Sequence, residues 1–594
     1  MVDISSETEV AFRIAASIEN PRVRFPGFNP SETILPAGTI LREGARKLTC
    51  DIMVQRDVAV RLRDGKVLYA DVFRPTNMSP VPVLVAWSPY GKQGGFWKLE
   101  DLPARMGVKR SLLSELQKWE APDPALWCAA GYAVVNPDSR GAFMSEGDAH
   151  TWGPQEGRDG ADVVDWIGSQ QWCNGKVGMA GNSWLAAAQW YIAAERPRHL
   201  AAIAPWEGFD DPYRDLLSRG GIPDPGFMEH ILEFLAGRGM IEDLPAMLKR
   251  YPAMNRFWEE RAAKIEQIEV PAYVVASWSN MAHTFGTFDA YSRLQCPKWL
   301  RVHDTQEWPD FYAPEHQEDL RRFFDRYLKE QDTGWEATPP VRLSIFSAGP
   351  DGATVTDRAE SEFPLSRVRY RKLYLDGTAH ILSSTPPEDA AAVRQEANSP
   401  AQIIFKHKFA TTQEWVGHCE LVLHVEVQDA DDCDIFAHLR KRDRDGQIFQ
   451  ALSLPGEVED VRLAAPQLQA LADTPMKDVL FYEGPWGRLR ASHRQIDERR
   501  SVTGRPVHTH RNPIPLSAGE VAEIRISLSP TAMEFKAGET LELILSSQNL
   551  TIIPFATEPP AVLQKGIAVI HMGSGRLSYL NVPVSYDQGE QSGT

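Results

Sequence analysis

Two rhythms of apolar and polar positions divide the 594-residue chain, and the change between them falls near Pro340. In the first part, short apolar runs alternate with stretches of helical spacing. Residues 58–62 and 67–74 read as two β segments joined by a turn at Asp64-Gly65. The run 81–87 is continuous and apolar, as a strand buried on both faces should be, and 131–137 and 176–180 read the same way. Between these last two, Ala161, Val164, Asp165 and Ile167 fit helical spacing over 160–169. An alanine-rich helix is predicted over 185–195, ended by Pro197. Strands at 200–205, 271–278 and 299–303 and a helix at 315–328 complete this part. Strands alternating with helices predict a mostly parallel sheet, hence an α/β domain.

Residues 206–269 interrupt that order with helical patterns at 227–235 and 243–249 and no convincing strand. An insertion here would cover the carboxyl edge of the sheet as a helical lid. The predicted organisation is therefore an α/β domain in two parts, 1–205 and 271–335, split by a lid at 206–270. Beyond residue 340, short alternating segments take over, at 341–345, 371–375, 421–427, 435–441, 521–528 and 541–546. They predict an all-β sandwich of jelly-roll type over 340–594. The last residues, GEQSGT, read as disordered.

Charge and composition narrow the partners. Lys and Arg number 63 and Asp and Glu 80, for a net charge of −17 and a pI near 5.4. This balance disfavours nucleic acid and anionic membrane as partners. Cys50, Cys128, Cys173, Cys296, Cys419 and Cys433 lie far apart, without metal-ligand spacing, and read as six reduced thiols. Neither a secretion signal nor an 18-residue apolar span is visible, so a cytoplasmic location is expected.

Candidate chemistry centres on Gly181-Asn182-Ser183-Trp184, set between an apolar strand and an alanine-rich helix. A sharp strand-to-helix turn exposes a serine Oγ and aims backbone N–H groups at a developing oxyanion. Small residues must flank such a turn, and Gly181 and Ala186 supply them; Leu185 stands where a GxSxG pattern has its last glycine. Read without that chemistry, Ser183 would be a helix N-cap. The pair His508 and His510 lacks a third metal ligand at recognisable spacing and reads as a polar strand or domain contact.

Around the turn, the segments VVNPDSRGAFMSEGD and EGRDGADVVDWIGSQQWCNGKVGMAGNSW resemble the cocaine esterase / X-prolyl dipeptidyl-peptidase family of α/β-hydrolases. Asp138, Arg140, Gly141, Ser145 and Gly147 match its first motif. Glu156, Asp159, Asp162 and Trp166 match its helix, and Gln171, Trp172, Gly175, Val177 and Gly178 its strand entry. GPWGRLRASHRQID, HTHRNPIPLSAGE and SPTAMEFKAGETLELILSS are similar to its C-terminal jelly roll. The resemblance implies an α/β-hydrolase with a helical lid and a following jelly roll, and a serine hydrolase working through an acyl-enzyme on Ser183. It also implies an oxyanion hole from the Trp184 amide and the Tyr90 hydroxyl.

The usual acid and base are displaced. Where relatives carry an aspartate, this chain has Asn280, which can orient an imidazole without stabilising its charge. Asp304, Glu307 and Asp310 are carboxylates near the next loop, and counting puts Glu307 where the family has its histidine. His303, at a strand end, is the favoured base, with His283 the competing one. No metal or cofactor is called for. The expected partner is a small-molecule ester or amide, and a homodimer is left open. An X-prolyl or aminoacyl peptidase, an amidase or an acyltransferase could use the same nucleophile, and a binding-only pseudo-hydrolase is the remaining alternative.

Overall fold

The structure is a computed structural model that describes residues 8–586 apart from 77–79, 94, 350–351, 456–465, 467–469, 471–476 and 551–564. The C-terminal GEQSGT segment lies outside the described residues.

The α/β domain is built on one 11-stranded sheet. In chain order its strands are β1 (Ser31–Leu35), β2 (Ile52–Arg61), β3 (Val67–Pro75), β4 (Val81–Val85), β5 (Ala133–Pro137), β6 (Cys173–Asn182), β7 (Leu200–Trp206), β8 (Ala272–Ser277), β9 (Lys298–His303), β10 (Val341–Ile345) and β11 (Val355–Glu360). Across the sheet they run β1-β2-β3-β5-β4-β6-β7-β8-β9-β10-β11. The stretch from β5 to β10 is parallel; β1, β2, β3 and β11 are antiparallel to their neighbours. The continuous apolar runs have the expected cause. In β4, Val83 and Val85 pack with helices α2 (Pro154–Gly168) and α3 (Trp184–Ala194). Leu84 packs on the other face with α1 (Pro124–Ala129) and α8 (Pro314–Leu328). Helices on both faces leave no polar side to alternate with.

The region 206–270 is mainly helical, with α4 (Gly226–Leu232), α5 (Leu244–Arg250) and α6 (Arg256–Arg261). One expectation is corrected here, because the insertion does contain a strand. Met240–Glu242 pairs antiparallel with Phe12–Ile14 near the N-terminus, a partner too distant in sequence for a three-residue run to announce. Arg13 ties the pair down, bonding Asp243 and, at 2.7 Å, Glu229 of α4.

The second correction concerns the boundary at 340. Val341–Ile345, expected to open the β-sandwich, is the last parallel strand of the α/β sheet, with Leu300, Arg301 and Val302 paired to Val341, Arg342 and Leu343. Its alternation is the same in either sheet, so the pattern alone could not assign it. The strands of the all-β sheet run from Val368–Asp376 to Tyr579–Ser585, in a 13-stranded, almost wholly antiparallel assembly. His508 and His510 lie where this domain meets the lid: Arg214 donates to the His508 and Thr509 carbonyls, and the Met254 amide to that of His510.

Candidate active site

Five neighbouring parallel strands, β4, β6, β7, β8 and β9, each deliver a polar side chain just past their carboxyl ends, the side of an open α/β sheet where ligands bind. These are Tyr90, Ser183, Glu207, Asn280 and Glu307 in turn.

Ser183 stands between β6 and α3 with φ 56° and ψ −119°, a left-handed backbone that a side chain adopts at a cost. Two close approaches hold it there. A Cβ on Gly181 would fall 2.6 Å from Leu185 Cδ2 and 2.9 Å from the Glu120 carbonyl, and Gly181 itself has φ 140°. A Cβ on Gly208 would sit 2.5 Å from the Ala187 nitrogen and 2.7 Å from Ala186 Cβ, so the alanines of α3 leave room for the chain after β7. The Ser183 N–H donates to the Glu207 carbonyl at 3.1 Å. The Trp184 N–H opens the helix, where no earlier helical carbonyl can take it.

Tyr90 is buried, lines one pocket with Ser183, and its hydroxyl interacts with the Ser183 side chain. Burial and the nearby Glu120 carboxylate push the phenol well above its ordinary value, so it stays a neutral donor. The Trp184 indole is fixed by Glu156: Oε1 accepts from Trp184 Nε1 at 2.8 Å and Trp87 Nε1 at 2.9 Å, and Oε2 from the Trp152 amide at 2.9 Å. Burial lifts the Glu156 carboxyl to about 7.

Ser183, Tyr90, Asn280, His283 and Glu307 line one pocket of about 60 Å³, walled by Trp97, Leu102, Trp119, Phe227, Ile231 and Trp308. Asn280 does not orient an imidazole. Its Nδ2 donates to Glu307 Oε2 at 2.6 Å and Glu207 Oε2 at 2.8 Å, while its Oδ1 accepts from the Ala282 and His283 amides. That fixes the side chain as a bridge between two carboxylates. His303 is outside the residues that line the pocket. Its Nε2 meets Glu207 Oε1 at 2.7 Å, its Nδ1 lies 3.2 Å from Thr305 Oγ1, and burial lowers it to about 4. His283 does reach the pocket. Its Nδ1 is buried without a partner, and burial together with Arg219 lowers it to about 3. Asp310 is committed to Arg301, and Asp304 lies beside His303 without reaching the pocket.

Burial raises three carboxyls here, Glu120, Glu207 and Glu307, well above the ordinary range, helped by Glu307 at Glu120, by Asp310 at Glu207 and by Glu207 at Glu307. Glu120 accepts from Trp308 Nε1 at 3.1 Å. Ligand atoms of Glu207, His283 and Glu307 lie within 4.8 Å of one another, a spacing a divalent cation would fit. In this arrangement Asn280 gives one N–H bond to each carboxylate, and His283 Nδ1 has no partner. Sequence reasoning missed Glu120 and Glu207. Glu207 had a signal, since it directly follows strand β7; Glu120 sits in an irregular loop and had none.

A serine on a strained strand-to-helix turn, a neutral phenol beside it in the same pocket and an amide at the helix start define a serine hydrolase on the α/β-hydrolase fold. Residues 64–243 match the model of the X-Pro dipeptidyl-peptidase (S15 family), and 333–581 that of the X-Pro dipeptidyl-peptidase C-terminal non-catalytic domain. A solved CocE/NonD family hydrolase from Staphylococcus aureus is similar over 94% of this chain and 99% of its own, at 30% identity and a TM-score of 0.82. The cocaine esterase of Rhodococcus sp. (strain MB1 Bresler) is 26% identical over 84% of this chain and 91% of its own length. An α-amino acid ester hydrolase shares the fold, at 16% identity, a TM-score of 0.65 and 90% and 97% coverage. The chain belongs to the CocE/NonD family of X-Pro dipeptidyl-peptidase-like hydrolases, and it is a serine hydrolase of ester or amide bonds.

Proposed function

We propose that Ser183 attacks esters with a short acyl group, and that Glu307 takes the proton a histidine takes in related sites. The observation that carries this is the shared pocket: Glu307 lines it with Ser183, and Asn280 holds its carboxylate from behind. A base works best when its pKa lies near the operating pH. Burial and the neighbouring Glu207 move Glu307 well above the ordinary carboxylate value, whereas burial and Arg219 move His283 down to about 3. Glu307 accepts the Oγ proton as the ester carbonyl is attacked, and the oxyanion is held by Tyr90 Oη–H and the Trp184 N–H. The proton then passes to the leaving alcohol. Water attacks the acyl-enzyme, giving its own proton to Glu307, and Ser183 departs protonated. A pocket of about 60 Å³ with aromatic walls supports a short apolar acyl group. The six free cysteines support a cytoplasmic setting.

A fluorophosphonate probe tests the nucleophile. Stoichiometric labelling of Ser183, lost in Ser183→Ala, is expected, with p-nitrophenyl acetate or butyrate turned over faster than long-chain esters. A folded protein that takes no label on Ser183 refutes the assignment.

A further inference from the structure

A second cavity, of about 90 Å³, shares no lining residue with the Ser183 pocket and lies between the lid, helix α7 (Thr284–Arg293) and the all-β domain. It has room for several water-sized groups. Arg214 and Arg219 enter from the segment after β7, Arg488, Arg500 and Arg505 from the all-β domain. These five guanidinium groups share the cavity wall with two carboxylates, Asp215 and Asp289, and Asp211, behind the wall, pairs with Arg214 at 2.7 Å and Arg500 at 3.6 Å. Asp289 is already shared: it accepts from Arg293 at 3.1 Å, from Arg500 at 3.0 Å and from Arg505. Burial lifts Asp215 to about 7, which removes part of its charge near neutrality.

Several buried donors on residues that line this space lack partners. Arg219 is 5% exposed; one nitrogen donates to the Asp215 and Met281 carbonyls, while Nε and Nη1 are buried and unpaired. Arg488, also 5% exposed, pairs with Asp224 through Nη1 at 2.9 Å and leaves Nε and Nη2 unpaired. Arg500 Nε and Ser527 Oγ are unpaired as well. Buried charged donors are costly to leave unsatisfied, and guanidinium forks match the geometry of phosphate-like groups. The aromatic faces of Trp486 and Phe285, 4.5 and 4.9 Å from the Arg219 guanidinium carbon, hold it in place without using its N–H groups.

We propose that this interdomain cavity is a binding site for a small oxyanion, inorganic phosphate or the phosphate group of a small monoester, bonded by Arg219 and Arg488 and completed by Arg500 and Ser527. Nothing in it depends on the chemistry assigned to Ser183.

Calorimetric titration and thermal unfolding of the full chain test this, with inorganic phosphate, phenyl phosphate and chloride compared at matched ionic strength. Saturable binding and a rise in Tm with phosphate, beyond the effect of chloride, are expected. Tighter binding of phenyl phosphate would assign the site to a phosphate ester; equal or weaker binding would assign it to the free ion. Arg219→Gln should weaken binding by roughly 10- to 100-fold, the range for a hydrogen bond to a charged group. Ser527→Ala, a milder change that keeps the test alive if the first variant does not fold, should weaken it by roughly tenfold. Arg394→Gln, at an exposed position on another strand, should leave binding unchanged. Phosphate effects no larger than those of chloride, or equal in wild type and Ser527→Ala, would overturn the assignment.

Discussion

Glu307→Gln separates the proposed base from every histidine near it. The amide keeps a carbonyl that can still accept from Asn280 Nδ2, so the bridge to Glu207 survives in part. A positioned general base contributes roughly 10²–10⁴ to the rate. At about 1.4 kcal/mol per decade, that is a barrier increase of about 3–5 kcal/mol. The same change should not unfold the protein. The Glu307 carboxyl is raised by burial and by Glu207, and it in turn raises Glu120. Such a group contributes stability below its unfolded pKa, near 4.5, and that contribution is lost as pH rises through its higher folded pKa. Glutamine cannot ionise, so the variant should gain stability over wild type as pH climbs above 4.5, by about 1.4 kcal/mol for each unit of upward shift. The assay is kcat/KM for p-nitrophenyl butyrate from pH 4 to 9, with urea unfolding at the same pH values. Wild type should lose activity as pH falls, with a midpoint above 4.5, and the variant should be slower by at least a hundredfold. A midpoint near 3 or 4 would fit His283 or His303 instead. That result, or a variant within threefold of wild type, would refute the role of Glu307.

Tyr90→Phe removes one oxyanion donor, and kcat should fall by about 10²–10³ while Tm stays within a degree or two of wild type; steady-state kinetics beside calorimetry checks both. Gly208→Ala places a methyl 2.5 Å from the Ala187 nitrogen. Overpacking against α3 should cost about 1–3 kcal/mol in denaturant unfolding and slow fluorophosphonate labelling, because the turn carrying Ser183 shifts. Glu156→Gln puts an N–H2 group among three donors and leaves one unpaired, costing about 1–3 kcal/mol at low pH. Since burial lifts Glu156 to about 7, its favourable contribution is lost as pH rises from 4.5 through 7. The gap between wild type and variant should therefore narrow over that window in pH-dependent unfolding.

The strands that carry the site were legible because each is buried on both faces, so a continuous apolar run and a helical stretch after it leave little choice of element. Ser183 was legible for the same reason: strand, glycine, serine and alanine-rich helix describe a steric problem with few solutions. Val341–Ile345 shows the limit, since five alternating residues fit the edge of either sheet and only the parallel pairing with β9 decides. Chemistry beyond the turn was less legible. His303 ends a strand in the right place, yet its Nε2 is spent on Glu207, a residue 96 positions earlier. Asn280 reads as a weakened acid, while the structure bonds it to two carboxylates whose proximity depends on three strands lying side by side. Periodicity reports which face a residue takes, not which distant loop it will meet.

The short pairing between Phe12–Ile14 and Met240–Glu242 has a practical consequence for anyone who shortens or tags this chain. Helix α4 contributes Phe227 and Ile231 to the pocket wall, and Glu229, on the same helix, is clasped by Arg13. A stretch that looks peripheral in sequence is thus a latch on the pocket that Ser183 lines, some 170 positions from that residue. Trimming it would remove the hold of Arg13 on Asp243 and Glu229 and so loosen one wall of the pocket that Ser183 lines.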